Sequence, residues 1–280
     1  MAGRKAYAMR KQGRPSETHN KHRKEYPALA KEVIRISDVV LQVLDARFLQ
    51  ETRNLELEGL IKREGKFIIN IINKVDLVDI NSLKKNPIMK QLVPYVLFSC
   101  NKRIGLGKLR ERIKIEVKRF GVTHAKAHVG VIGYPNTGKS SLINFIAGRS
   151  VAGTSSQSGF SRGIQKIRFS KDILILDTPG VIPSNEHAVT SSEDMQKHAE
   201  INVRTFDSVK NPDLIVGNIM QKNPGLLEKF YDTESEGDPE IFLEKLGRKR
   251  NILRKGGKID IDRSARIVLK DWQEGKIIKL

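Results

Sequence analysis

Short apolar runs separated by amphipathic and polar stretches mark the chain from Ala28 to Gly180. The runs are Val39-Val-Leu-Gln-Val-Leu44, Phe67 to Ile72, Tyr95 to Phe98, Val129 to Ile132 and Ile173 to Leu176. Their brevity and apolar character predict parallel strands covered by helices on both faces. A short amphipathic helix from Ala28 precedes the first run. A clearer one runs from about Gly107 to Phe120, with Leu109, Ile113, Val117 and Phe120 on one stripe and Lys and Arg on the other. This alternation predicts a layered α/β fold. After Gly180 the strand signals stop, and helices are predicted with Pro212, Pro224 and Pro239 at or near their starts. Asp262 is placed to cap the last of these, which carries Ala265, Ile267, Val268, Leu269 and Trp272. The expected organisation is a basic tail over 1–27, an α/β domain over 28–182 and an all-helical domain over 183–280.

Charge adds a partner to this fold. The 280 residues carry 51 Lys and Arg against 32 Asp and Glu, a formal charge of +19. Such a field favours polyanions, with an association that weakens as salt rises. The basic residues gather at both ends: Arg4, Lys5, Arg10, Lys11, Arg14, Lys21, Arg23 and Lys24 in the tail, and the stretch from Leu246 to Leu280. Nucleic acid is the expected partner. Cys100 is the single cysteine, so neither an internal disulfide nor a cysteine-rich zinc site is expected. No apolar run approaches the ~20 residues that a membrane helix needs. A cytoplasmic protein without a membrane partner is therefore expected.

The strongest chemical signal is Gly133-Tyr-Pro-Asn-Thr-Gly138-Lys139-Ser140, between an apolar strand and the helical run Leu142, Ile143, Phe145, Ile146. It is a P-loop in the required strand-to-helix context. Glycines let the backbone N–H groups and the helix N-terminus meet phosphate oxygens, with Asn136, Thr137, Gly138 and Ser141 lining the loop. Lys139 reaches the β and γ phosphates, and Ser140 ligates Mg²⁺. Asn73-Lys74-Val75-Asp76 follows the Phe67 to Ile72 strand and reads as a guanine clamp. A carboxylate at Asp76 accepts from guanine N1–H and N2–H₂, whereas adenine leaves that acceptor unpaired, so GTP is selected over ATP. Asn73 ties this loop to the P-loop or the base, and the stem of Lys74 covers one ring face. Asp177-Thr-Pro-Gly180 fits the loop in which Asp177 holds Mg²⁺ through water and the Gly180 N–H senses the γ-phosphate. Ser99-Cys100, at the end of the Tyr95 to Phe98 strand, is placed to offer a backbone N–H to guanine O6.

These motifs together resemble the translation-factor class of GTPases, and their order resembles its circularly permuted branch. Usual GTPases run P-loop, DTPG, NKxD. Here Asn73 to Asp76 and Ser99-Cys100 precede Gly133 to Ser140, and Asp177 to Gly180 comes last. The chain is similar to the YlqF/RbgA family of ribosome-assembly GTPases over most of its length. Supporting stretches are Asp45-Ala-Arg47 at the first strand end, Leu253-Arg-Lys-Gly-Gly-Lys-Ile-Asp-Ile-Asp-Arg263 and Lys270-Asp-Trp-Gln-Glu-Gly-Lys276. The resemblance implies GTP and GDP as ligands, large-ribosomal-subunit rRNA and precursor particles as partners, and a helical RNA-binding C-terminal domain.

Val181 and Ile182 stand where many GTPases carry a water-orienting Gln, so slow intrinsic turnover is expected. The resemblance implies that His22 supplies the missing catalytic group, although Asn20-Lys-His-Arg-Lys24 departs from the family's aromatic-Pro-Gly-His context. It also makes Ser161 the switch threonine's substitute on Mg²⁺, with Thr154 as the alternative, and Asn136 a K⁺ position beside the phosphates. The main alternative is a GTP-gated rRNA-binding scaffold whose hydrolysis is incidental. A small-subunit assembly GTPase shares the motif order, but such relatives usually add an OB-fold and a zinc site, and one cysteine argues against that. An ATP-dependent RNA enzyme conflicts with Asp76.

Overall fold

The computed structural model describes residues 25–121, 126–148, 164–178, 180, 206–209 and 211–277. Helix α1 (Glu25–Ile36) leads into β1 (Val39–Asp45), followed by α2 (Leu55–Arg63), β2 (Phe67–Asn73), α3 (Ile80–Lys85) and β3 (Tyr95–Leu97). The chain then crosses through α4 (Leu106–Arg119) to β4 (Ala127–Gly133), α5 (Lys139–Ala147), β5 (Gln165–Arg168) and β6 (Ile173–Asp177). Helix α1 starts at Glu25, earlier than the apolar pattern from Ala28 predicts.

Among the described residues the strands form one six-stranded sheet in the order β3-β2-β1-β4-β6-β5. All pairings are parallel except β5 with β6. Strand β5 escaped the sequence pattern because Gln165-Lys-Ile-Arg168 has one buried apolar residue, Ile167, as suits an antiparallel edge strand with one wet face. Chain order runs outward from β1 through β2 to β3, then returns to β4 beside β1 and proceeds to the other edge. The direction of winding reverses between β1 and β4, and such a switch point opens a crevice at the carboxyl ends of the strands.

Alternation along the strands sorts the core into two layers. Val39, Leu41, Val43, Ile69, Ile71, Val129 and Val131 pack on one face against Leu109 and Ile113 of α4 and Leu142, Ile143 and Ile146 of α5. Val40 and Ile132 meet Ala30 and Ile34 of α1 and Leu57, Leu60 and Ile61 of α2 on the other. Leu44 and Ile72 continue that face into Leu83, Ile88, Met89 and Leu92. Phe120, expected on the buried stripe of α4, is 38% exposed because the helix ends at Arg119 and Phe120 is its C-cap.

The C-terminal part is helical: α6 (Pro212–Lys222), α7 (Leu226–Tyr231), α8 (Pro239–Lys249) and α9 (Ile261–Gln273). Pro212 and Pro239 occupy first-turn positions, where a missing N–H costs nothing. Pro224 stands just before Gly225, the N-cap of α7. The cap of α9 is Asp260, which accepts from the Arg263 N–H at 3.0 Å. Asp262, the expected cap, lies in the first turn of the helix and pairs with Arg266 at 2.8 Å.

Trp272 centres this helical packing with Val216, Ile219, Phe242, Leu246, Val268 and Leu269. The same cluster includes Phe48, after β1, and Tyr134 of the P-loop, so the helices share their core with the α/β layers. The Phe48 and Trp272 rings lie 6.1 Å apart. Truncating Trp272 to Ala removes a buried aromatic at that junction and should cost about 3–5 kcal/mol of unfolding free energy. Urea denaturation followed by circular dichroism measures this, since the substitution also removes the chain's single tryptophan.

Candidate nucleotide-binding site

The sheet register brings the chemistry to one edge. Asp45 pairs with Asn73 across β1 and β2, Val43 pairs with Gly133 across β1 and β4, and Val131 pairs with Asp177 across β4 and β6. Gly133 has φ 151° and lies so close to β1 that an added Cβ would come within 2.5 Å of the Val43 carbonyl oxygen. Only glycine permits the loop to leave β4 at that distance. Gly138, with φ 97°, forms the N-cap of α5, and a Cβ there would collide with Asn73 Nδ2.

That contact is productive. Asn73 Nδ2 donates to the Thr137 carbonyl at 2.8 Å, joining the clamp loop to the P-loop. Thr137 Oγ1 donates to the Tyr134 carbonyl at 2.9 Å and Lys139 Nζ donates to the same oxygen at 2.6 Å, so the lysine folds back across its own loop. Burial pushes the Lys139 ammonium down to about 8, against the pull of Asp177.

The clamp loop turns at Lys74, which adopts φ 62°, and its Val75 N–H donates to Phe98 O at 3.2 Å, tying the loop to the end of β3. Lys74 Nζ donates to the Asn136 carbonyl at 2.8 Å and to Asp45 Oδ2 at 2.6 Å. Asp76 is half-buried and close enough to Cys100 to reinforce the effect of burial, which pushes that thiol up to about 11. Of the Ser99-Cys100 pair, Ser99 is fully buried and its N–H already donates to Ile104 O at 3.1 Å. The Ser99 N–H is thus committed within the protein, and Cys100 is the member of the pair beside Asp76.

On the far side of the P-loop, Thr178 Oγ1 donates to Val131 O at 2.8 Å and fixes the turn after β6. Gly180 lies against Pro135, with room for no Cβ: one added there would be 2.8 Å from Pro135 Cα. Asp177 Oδ1 is buried and has no hydrogen-bond partner among the described residues. Burial pushes this carboxyl up to about 6, opposed by Lys139. An orphaned carboxylate oxygen at Asp177 and the hydroxyl of the half-buried Ser140, in the first turn of α5, are oxygen donors of the kind that suit a hard cation such as Mg²⁺. His22, Thr154, Ser161, Val181 and Ile182 lie outside the described residues.

Residues 128–241 match the family described as 50S ribosome-binding GTPase. The chain is 36% identical over 251 residues to an uncharacterized GTP-binding protein of Methanocaldococcus jannaschii, covering 89% of this chain and 65% of that protein. It is 33% identical over 287 residues to guanine nucleotide-binding protein-like NSN1 of Arabidopsis thaliana, covering 92% and 48%. With nucleolar GTP-binding protein 2 of Neurospora crassa the identity is 32% over 254 residues, covering 88% and 40%. The chain thus spans 40–65% of the length of these relatives. Among solved structures, GNP-bound YlqF from T. maritima superposes with a TM-score of 0.62 at 23% identity, over 91% of this chain and 95% of that one. The GDP-bound form gives the same score at 24% identity, over 89% and 95%.

The chain has the fold and the motif order of the circularly permuted GTPases. In this permuted fold the sequence motifs converge although their order is rearranged, because β4 inserts between β1 and β6 whatever its place in the chain. Three contributors were missed at the level of sequence. Thr178 and Tyr134 act through hydrogen bonds that no spacing rule encodes. Asp45-Ala-Arg47 stood out only by resemblance, and its chemistry emerges once Asp45 is seen to hold Lys74.

If Asp76 reads the base, replacing it with Asn exchanges an acceptor for a group able to donate to the 2-oxo position of xanthine. Asp76→Asn should move nucleotide preference from GTP towards XTP by about tenfold or more, on the energy of a charged hydrogen bond. Competition binding of the two nucleotides measures the ratio, and an unchanged preference for GTP places the base elsewhere.

Proposed function

We propose that the chain binds GTP and GDP and hydrolyses GTP as a factor in maturation of the large ribosomal subunit, with turnover stimulated by that particle. The observation that carries this reading is the meeting of the Asn73 loop, the P-loop and Asp177 at one switch point, joined by the Asn73 to Thr137 and Lys74 to Asn136 hydrogen bonds. In this reading Asp76 reads guanine, Cys100 faces its O6 through the backbone, and Lys139 leaves the Tyr134 carbonyl to meet phosphate. Ser140 and Asp177, with Ser161, hold Mg²⁺, which when bound neutralises phosphate charge. The Gly180 N–H reports on the γ-phosphate, Asn136 is the K⁺ position, and His22 is the group that replaces the absent Gln.

The family description names the 50S ribosome, and relatives carry nucleolar names. The charge of +19 supports a polyanionic partner. The helical part offers a place for it: an isolated bridge pairs Leu253 with Ile259 and presents Arg254, Lys255 and Lys258 on an exposed loop, with Arg248, Arg250 and Arg263 nearby in sequence and also exposed. The protein is proposed to act in the cytoplasm; among the described residues no helix is long and apolar enough to cross a membrane. A scaffold with incidental hydrolysis is the second reading, favoured by the apolar Val181 and Ile182 after Gly180.

GTP turnover should rise on addition of purified large subunits and stay unchanged with small subunits, with a higher rate in K⁺ than in Na⁺. His22→Ala should remove the stimulated part. Unchanged slow turnover despite tight, GTP-dependent binding to the large subunit would select the scaffold. Replacing Arg254, Lys255 and Lys258 together with Ala should lower the slope of log affinity for subunit against log salt by roughly 2, at about 0.7–0.9 for each phosphate no longer neutralised.

A further inference from the structure

The buried carboxylate of Asp45 stands outside every motif that reads nucleotide, yet it is the most heavily engaged group at the site. Its side chain is 1% exposed at the end of β1. Oδ1 accepts from the Arg47 backbone N–H at 3.1 Å and from Arg47 Nε at 3.0 Å, while Oδ2 accepts from Arg47 Nη2 at 2.8 Å and Lys74 Nζ at 2.6 Å. The Arg47 side chain is itself 5% exposed. Its remaining branch, Nη1, donates at 3.0 Å to the carbonyl of Trp272 in the last turn of α9. A cation there suits the negative pole of the helix C-terminus, beside the Gly275 N–H that donates to the same carbonyl at 3.1 Å. Lys74, at the other end, donates to the Asn136 carbonyl of the P-loop. A continuous chain of hydrogen bonds therefore runs Trp272 O, Arg47, Asp45, Lys74, Asn136 O.

A second contact follows the same path. Gly275, just beyond α9, has φ 73° and seats against Leu77 of the clamp loop, where an added Cβ would come within 2.5 Å of Leu77 Cδ1. The same helix also holds residues 206–209, downstream of Gly180: Arg266 Nη1 donates to Phe206 O at 2.7 Å, Arg266 Nη2 donates to Val209 O at 3.1 Å, and the Phe206 N–H donates to Gln273 Oε1 at 3.1 Å. One helix thus touches both the clamp loop and the chain that leaves the Asp177 loop.

We propose that Asp45 and Arg47 are positioning residues of the nucleotide site, acting through Lys74, and that the seated end of α9 is the third part of this relay, so that displacing α9 shortens the residence of bound guanine nucleotide. The proposal rests on the reading of the Asn73 to Asp76 loop as a guanine clamp. Physically, Lys74 is held in one place only while a buried carboxylate faces it, and that carboxylate is oriented by a two-pronged guanidinium whose third contact belongs to the helical part. Lifting α9 frees Arg47 to turn, weakens the hold on Lys74 and loosens both the base-covering stem and the Asn136 carbonyl. A particle that binds the basic helical surface then gains a route to nucleotide exchange.

The test is stopped-flow release of mant-GDP from the full chain, with melting of the nucleotide-free protein measured in parallel. Asp45→Asn and Arg47→Ala should each release mant-GDP about tenfold faster or more, as expected for loss of a charged hydrogen bond. The double variant should be no faster than the faster single, because links in series are broken only once. Rates within twofold of the parent, or effects that multiply in the double variant, overturn the relay. Arg47→Lys keeps the buried positive charge but cannot reach Asp45 and Trp272 O together. It guards against a variant that does not fold, and should release several-fold faster with its melting temperature retained; parental release in this variant also overturns the proposal. Gly275→Val, which disturbs the seat of α9 without touching a charged group, should speed release, and unchanged release removes α9 from the relay. Failure of the parent to bind mant-GDP would instead defeat the clamp reading itself.

Discussion

A carboxylate buried at a strand end is an expensive group to keep, and the arrangement around the nucleotide crevice follows from how Asp45 is kept. Removal from water alone would raise its pKa, but the Lys74 ammonium and Arg47 guanidinium overcome that and hold the carboxyl well below the ordinary carboxylate range. The converse holds for Lys74: burial pulls its pKa down, and Asp45 is the main group opposing this. Neither charge is tolerable without the other, since removing one partner of a buried pair leaves an uncompensated ion. The pair therefore constrains two loops from neighbouring strands to a single geometry, and the residual donors on each cation reach to a third loop and a helix.

The linkage has a definite direction with pH. A folded-state pKa below the unfolded value means that the stabilising contribution of Asp45 is fully present above the ordinary carboxylate value and is lost only as pH falls through the depressed folded value. The relay is thus intact throughout the neutral range. Asp177 is the opposite case, a carboxyl whose proton burial favours, raised to about 6. A site that leaves one carboxylate oxygen orphaned while satisfying every oxygen of its neighbour distinguishes the group kept for structure from the group kept for a ligand.

Much of the fold was legible because hydrophobic burial is periodic. A strand covered on both faces needs apolar residues throughout, as all seven positions of β1 attest by being buried, Gln42 and Asp45 included. Periodicity carries no information on edge strands with polar faces, and β5 was missed for that reason. It also leaves cap choice ambiguous where acids alternate: Asp260 and Asp262 flank the first residue of the last helix, and only backbone geometry selects Asp260. The loops at Asn73 to Asp76 and Gly133 to Ser140 stood out in the sequence because guanine and phosphate chemistry demand particular atoms at fixed spacing. The bond from the Ser99 N–H to Ile104 belongs to a local bridge that spacing does not reveal.

Permutation changes which covalent connections cross the site without changing which strands surround it. Because β1 and β4 adjoin in the sheet, the clamp and the P-loop meet whether or not the chain visits them in the usual order. What changes is the exit: the chain leaving β6 and Gly180 passes on to the helical part, and α9 returns to the clamp loop by way of Trp272 and Gly275. Tyr134 and Phe48 extend the same junction into the helical core, so that a rotation of the helices cannot occur without repacking residues of the P-loop and of the turn after Asp45. Packed interfaces change by discrete rearrangement more readily than by gradual strain. The basic helical surface and the crevice at the switch point are in this way two ends of one packed unit, and a difference in energy at either end must be felt at the other.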